Sequence, residues 1–143
     1  MRLSIFPDVN VWLALNYGPH IHNSIASQWY SAQGPRLSLV FCRHTQLSLF
    51  RLLSTAAVMQ ADVLNQLQCW QIFDRWIESD QAVFAQEPLG MESVLRTNTQ
   101  ISSPSPKAWA DAYLAAFAEA AGLTLVTFDQ TLAGKVKGAI LLR

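Results

Sequence analysis

Short apolar runs alternate with longer stretches of helical periodicity along the whole chain, and this alternation limits the possible folds more than any other feature. LSIF (3–6), RLSLVF (36–41), LTLVTF (123–128) and AILL (139–142) are apolar runs of strand length, with a weaker strand candidate at 81–85. The intervening segments follow a different rule. A helix can start after Pro7-Asp8 and is broken at Asn16-Tyr17-Gly18-Pro19. Ile21, Ile25 and Trp29 at four-residue spacing predict an amphipathic helix that Gly34-Pro35 ends. From 43 to about 59, Gln46, Phe50, Leu53 and Ala57 fall on one stripe of a third helix. Residues 62–78 predict a fourth, with Leu64, Leu67, Trp70, Phe73 and Ile77 inward. A short helix is expected over 90–99, and another ends near Ala121 with Gly122 closing it. Ser105 is the expected cap of that helix and Pro106 its first residue. Strands that are apolar throughout and alternate with helices predict a parallel α/β sheet covered on both faces.

At 143 residues the chain fits one domain, read here as 1–143. It is 51% hydrophobic and 14% charged, against about 25% charged for an average domain, which excludes disorder and charged tails. Ten basic and ten acidic residues cancel, so nucleic acid would have to be met by a local patch. So much apolar surface with so little charge also predicts a large protein–protein interface. Cys42 and Cys69 form neither a CxxC pair nor a disulfide framework, which fits a reducing, cytoplasmic setting. Pro7 and Asp8 interrupt the N-terminal apolar run, so a signal pattern is not expected. Residues 9–35 lack charge but hold many polar groups, with Gly18 and Pro19, so no membrane span is expected.

The acids are unevenly placed. Asp8 ends the first strand and Asp129 ends LTLVTF, so both are expected at the carboxyl edge of the sheet, where ligands of such folds bind. Asp111 lies on an apolar helical stripe with Ala108, Leu114, Ala115 and Ala118. A buried carboxylate needs a cation or donors. Capping is the alternative role for Asp8 and Asp129, and a macrodipole contact for Asp111. Together, three converging acids repel one another unless a cation neutralises them, and oxygen-only ligands favour Mg²⁺ or Mn²⁺. Such a site suits hydrolysis of phosphate esters. Asn10 is placed to hold a water or a phosphate oxygen, or to make a capping contact. Thr127 shares a strand face with Asp129 and can orient that carboxylate, or serves only strand propensity.

Other chemistries find less support. Cys42, His44 and Cys69 lack a four-ligand zinc spacing. Ser102, Ser103 and Ser105 lack a Gly-x-Ser-x-Gly frame, and no Gly-rich phosphate loop occurs. Trp70, Phe73, Trp76 and Ile77 fall at helical spacing, as core or interface residues do. Arg43, Arg51, Lys107, Lys135 and Lys137 are candidates for a basic rim, or for ordinary solvated surface.

The strand-Asp-x-Asn opening FPDVNVWLAL, DAYLAAFA before a Gly, and LVTFD near the end resemble, in order and over the whole chain, the PIN-domain ribonucleases. More narrowly they resemble the VapC toxins of VapBC toxin–antitoxin pairs, and FCRHTQLSLFRLLS resembles one branch of them. The resemblance implies a three-layer α/β/α sandwich around a parallel sheet of four to five strands. It implies a Mg²⁺- or Mn²⁺-dependent endoribonuclease leaving 5′-phosphate and 3′-hydroxyl ends, a VapB-like antitoxin partner, and a homodimer. The family's first, third and fourth acids match Asp8, Asp111 and Asp129. Its second acid, a Glu early in the third helix, matches Gln46, whose amide oxygen can still ligate a metal or hold a water. The alternative is a non-catalytic PIN-like module, disabled at Gln46 and kept for protein or RNA contact.

Overall fold

The computed structural model describes residues 3–143, so the reading of 1–143 as one unit includes Met1 and Arg2, which lie outside the described residues. Five strands, β1 (Leu3–Pro7), β2 (Leu37–Phe41), β3 (Ala82–Phe84), β4 (Thr124–Thr127) and β5 (Ile140–Leu141), form one sheet in the order β3-β2-β1-β4-β5. Every pairing is parallel, with Ile5 opposite both Leu39 and Thr124. The chain moves outward from β1 to β3 on one side, then returns to pair β4 with the other side of β1. The crevice beyond the carboxyl ends of β1 and β4 is therefore the topological switch point, where ligands of open α/β sheets bind.

Side-chain alternation divides the sheet between two cores. Ile5, Leu39, Phe41 and Val126 join one cluster, and Phe6, Val40, Cys42 and Leu125 the other. The first cluster packs against helices α1 (Val9–Asn16), α2 (Asn23–Ala32), α3 (Arg43–Leu53) and α5 (Gln66–Glu78), with a one-turn α4 (Ala56–Met59) between the last two. The second packs against α6 (Met91–Asn98), α7 (Ala108–Ala121) and the one-turn α8 (Gln130–Ala133). This is the expected three-layer α/β/α sandwich. Gly122, at φ +67°, ends α7 in the left-handed conformation that glycine tolerates best.

Four details of the helices differ from the sequence reading. Ile21 is 86% exposed rather than inward, because α2 starts only at Asn23, after a turn in which the His22 N–H bonds His20 Nδ1 and Asn23 Nδ2 donates to the Ala14 carbonyl. The expected helix from 43 to 59 stops at Leu53. The Ser54 and Thr55 hydroxyls take the Phe50 and Arg51 carbonyls, an alternative to helical pairing that leaves Ala57 exposed. The next helix begins at Gln66 rather than 62, set by a reciprocal Asn65–Gln68 capping box. Its phase buries Cys69 and packs Ile72, Phe73 and Trp76 inward, leaving Leu67 and Trp70 exposed. Finally, Ser105 does not cap α7 with its side chain and Pro106 precedes the helix, which starts at Ala108 after a turn closed by the Ser105 carbonyl.

Candidate active site

Asp8 follows the central strand and is buried, 7% exposed. Its N–H continues the ladder to the Val126 carbonyl, and its side chain caps α1: Oδ1 accepts from the Val9 N–H at 2.6 Å. Oδ2 accepts from Thr127 Oγ1 at 2.9 Å. The same Thr127 hydroxyl accepts the Asp129 N–H at 2.9 Å, so one buried threonine links the two strand-end acids. It orients the Asp8 carboxylate, not that of Asp129 as the strand alternation suggested. Asp129 Oδ1 instead accepts from the N–H groups of Thr131 and Leu132 and caps α8. Asp111 stands in the first turn of α7 with its side chain 16% exposed, and its Oδ2 lies 4.0 Å from Lys135 Nζ.

These acids act on one another. Burial raises the Asp8 pKa, and the charges of Asp111 and Asp129 raise it further, while the bonds from Thr127 and Val9 oppose the rise. Capping and site roles are thus compatible in Asp8 and Asp129. Gln46 lies 1% exposed on the first turn of α3, and its Oε1 accepts from Arg43 Nη1 at 2.5 Å. The Arg43 guanidinium also lies over Phe84, 4.5 Å from the ring centroid. Asn10 is exposed on α1 and leaves the capping to Asp8. Lys107 and Lys137 are exposed, and Arg43 and Arg51 share a cleft with His44.

A PIN-domain profile matches residues 5–137. The chain is also 39% identical over 126 residues to Ribonuclease VapC41 of Mycobacterium tuberculosis, a match covering 85% of this chain and 86% of that protein. It belongs to the PIN-domain family, in the VapC group.

Solved structures of this group show the same fold at lower identity. The Mycobacterium tuberculosis VapC20, described as a sarcin–ricin loop cleaving toxin, superposes with a TM-score of 0.65 at 16% identity, over 92% of this chain and 94% of that one. VapBC2 from Rickettsia felis, solved on a DNA fragment from its promoter, gives 0.66 at 12% identity over 97% of both chains.

A PIN domain implies a divalent cation, and the donor set matches one in kind: three carboxylates and an amide, all oxygen. Burial of mutually repelling carboxylates is also the state that a cation relieves. As they stand, though, no three His, Cys, Asp or Glu side chains among the described residues are grouped closely enough to hold a metal. Each acid has a partner now: Thr127 and Val9 for Asp8, Lys135 for Asp111, the α8 amides for Asp129. Among the described residues, the second carboxylate oxygens of Asp111 and Asp129 make no such bond.

The sequence reading weighed His44 only as a zinc ligand and missed Tyr113 and Glu87 at this edge. His44 is half-buried. Burial lowers its pKa, while the Asp8 charge raises it, which places the imidazole within electrostatic reach of the site. Tyr113, on α7, faces His44 with ring centroids 5.1 Å apart and donates its hydroxyl to Glu87 at 3.1 Å. The FCRH segment put His44 one residue from Arg43, but nothing local marks Glu87 or Tyr113, which meet only in the fold.

Proposed function

We propose that this chain is a Mg²⁺- or Mn²⁺-dependent endoribonuclease, the toxin of a type II toxin–antitoxin pair, acting through Asp8, Asp111 and Asp129. The observation that carries the reading is the buried Asp8 carboxylate, held by Thr127 at the switch point, its pKa raised by burial and by two further acids. The kinship with a protein named Ribonuclease VapC41 supports the reaction class. Asp8, Asp111 and Asp129 are the residues that would hold the cation, which when bound supplies positive charge at the phosphate and acidifies the attacking water. Thr127 fixes the orientation of Asp8, so that carboxylate meets the substrate without first reorganising. Water oxygen adds to phosphorus and the bond to O3′ breaks, leaving a 5′-phosphate and a 3′-hydroxyl that takes up a proton. Asn10, exposed two residues after Asp8, is placed to steady a water or a phosphate oxygen.

The partners follow the same kinship. The Rickettsia felis relative is a VapBC assembly, and a VapB-like antitoxin is the partner inferred here. We also infer a homodimer, since Leu67, Trp70 and Trp109 remain exposed on a chain with little charge. No helix among the described residues is long and apolar enough to cross a membrane, and the cytoplasm, where RNA and antitoxin meet, is the inferred setting. The rival reading, a non-catalytic module, rests on Gln46, which is neutral and already bound to Arg43.

The test is cleavage of RNA by the purified chain with Mn²⁺, beside Asp8→Asn. Cleavage by the native chain, lost in the variant, supports the assignment. Undiminished cutting by Asp8→Asn refutes it, and RNA binding without cleavage by the native chain would favour the module.

A further inference from the structure

A second cleft adjoins the acids. It measures about 410 Å³, within the range of small-molecule sites, and lies between α3, α7 and the segment after β3. Arg43, His44, Leu47, Arg51, Glu87 and Tyr113 line it. Two guanidiniums against one carboxylate make it a net positive cleft in a chain whose overall charge is zero. Arg43 spends one N–H on Gln46 and keeps four others, and its plane is fixed over Phe84. The Tyr113 hydroxyl donates to Glu87 Oε2 at 3.1 Å. Glu87 keeps further lone pairs free to accept, and the tilted His44 and Tyr113 rings line the same cleft.

We propose that this cleft binds a guanine nucleotide of the RNA beside the scissile bond, its phosphate on Arg43 and Arg51, its base against Tyr113 and His44, and its N–H edge on Glu87. The inference rests on the ribonuclease reading and names how that site selects its substrate. Guanine offers two adjacent N–H donors, N1–H and N2–H, to a single carboxylate. Adenine and cytosine offer one donor beside an acceptor, and uracil one donor between two acceptors, so each sets a lone pair against Glu87. Guanidiniums suit phosphate because they grip two oxygens at once. Aromatic rings accept any base, which leaves discrimination to the carboxylate.

The test titrates the four ribonucleoside 5′-monophosphates onto the intact chain by calorimetry, with EDTA present so that metal plays no part. Guanosine monophosphate should bind at least about fivefold tighter than the other three, the discrimination expected of one bidentate contact. Glu87→Gln, at an exposed position, should bring the four within about twofold of one another. Arg51→Ala should weaken all four by a similar factor, about tenfold for a lost charged hydrogen bond. Equal binding of the four by the native chain, or discrimination that survives Glu87→Gln, overturns the proposal. So does failure of all four nucleotides to bind. The two readings fail separately. A chain that cuts RNA but binds the four alike keeps its activity and loses this subsite. A chain that discriminates guanine but cuts no RNA keeps the subsite and loses the ribonuclease.

Discussion

Asp8 and Trp12 are four residues apart, and the Trp12 N–H bonds the Asp8 carbonyl in the first turn of α1. Their side chains nevertheless obey opposite rules. Trp12 is wholly buried, stacked on Phe41 with centroids 3.7 Å apart and met edge-on by Trp76. Volume and shape govern it, and its one polar flaw is an indole N–H without a partner among the described residues. Asp8 is nearly as buried but carries a charge that burial and two neighbouring acids disfavour. The core gives stability, whereas the carboxyl edge gives some up to keep reactive groups together. Substitutions in the two regions should therefore dissociate fold from function.

The largest separation is expected from Asp8→Asn. Cleavage should fall by about 10³-fold, roughly 4 kcal/mol of lost transition-state stabilisation, while the melting temperature rises by about 3 °C. The sign follows from the raised pKa. The stability tied to a protonated Asp8 is fully present below its unfolded pKa and is lost as pH rises through the higher folded pKa. Native protein should thus lose stability over that window in a pH series of thermal melts, and Asp8→Asn should lack that component. A variant less stable than the native chain at neutral pH would break the comparison from the edge side.

Trp12→Ala breaks it from the core side. Truncating this ring should cost about 3–5 kcal/mol in denaturant unfolding, with cleavage per folded molecule little changed. Thr127→Val comes next. It leaves Asp8 with the Val9 bond alone, so kcat should drop about tenfold and the acidic limb of the pH–rate profile should move upward, because a bond favouring the charged form is gone. Thr127→Ser should restore both, and a drop without a change in profile would reduce Thr127 to packing. The smallest effect is expected of Gln46→Glu. Arg43 is in place to pair with the new carboxylate, so activity should stay equal or rise by about threefold at most. A clear loss would show that the amide has a role of its own.

What the sequence revealed and what it hid divide along the same line. β1, β2 and β4 were legible because a strand covered on both faces must be apolar throughout, and Asp8 and Asp129 stand out as the acids that end such runs. Helix phase was less legible. Hydroxyls at Ser54 and Thr55 and the box at Asn65 reset the helices, which moved Ala57, Leu67 and Trp70 outward against a periodicity that looked continuous. Long-range contacts left no local signal. Thr127 reaches Asp8 across 119 positions, and Glu87 meets Tyr113 across 26, so only the folded chain reveals which carboxylate each hydroxyl serves.

The central proposal is that Asp8, Asp111 and Asp129 hold one divalent cation together. Calorimetric titration of Mn²⁺ into the native chain, and into Asp8→Asn, Asp111→Asn and Asp129→Asn, tests it without any RNA. The account predicts saturable binding by the native chain, weakened at least about tenfold by each substitution, since each removes one charged ligand. Native-like Mn²⁺ affinity in any one of the three variants would contradict it.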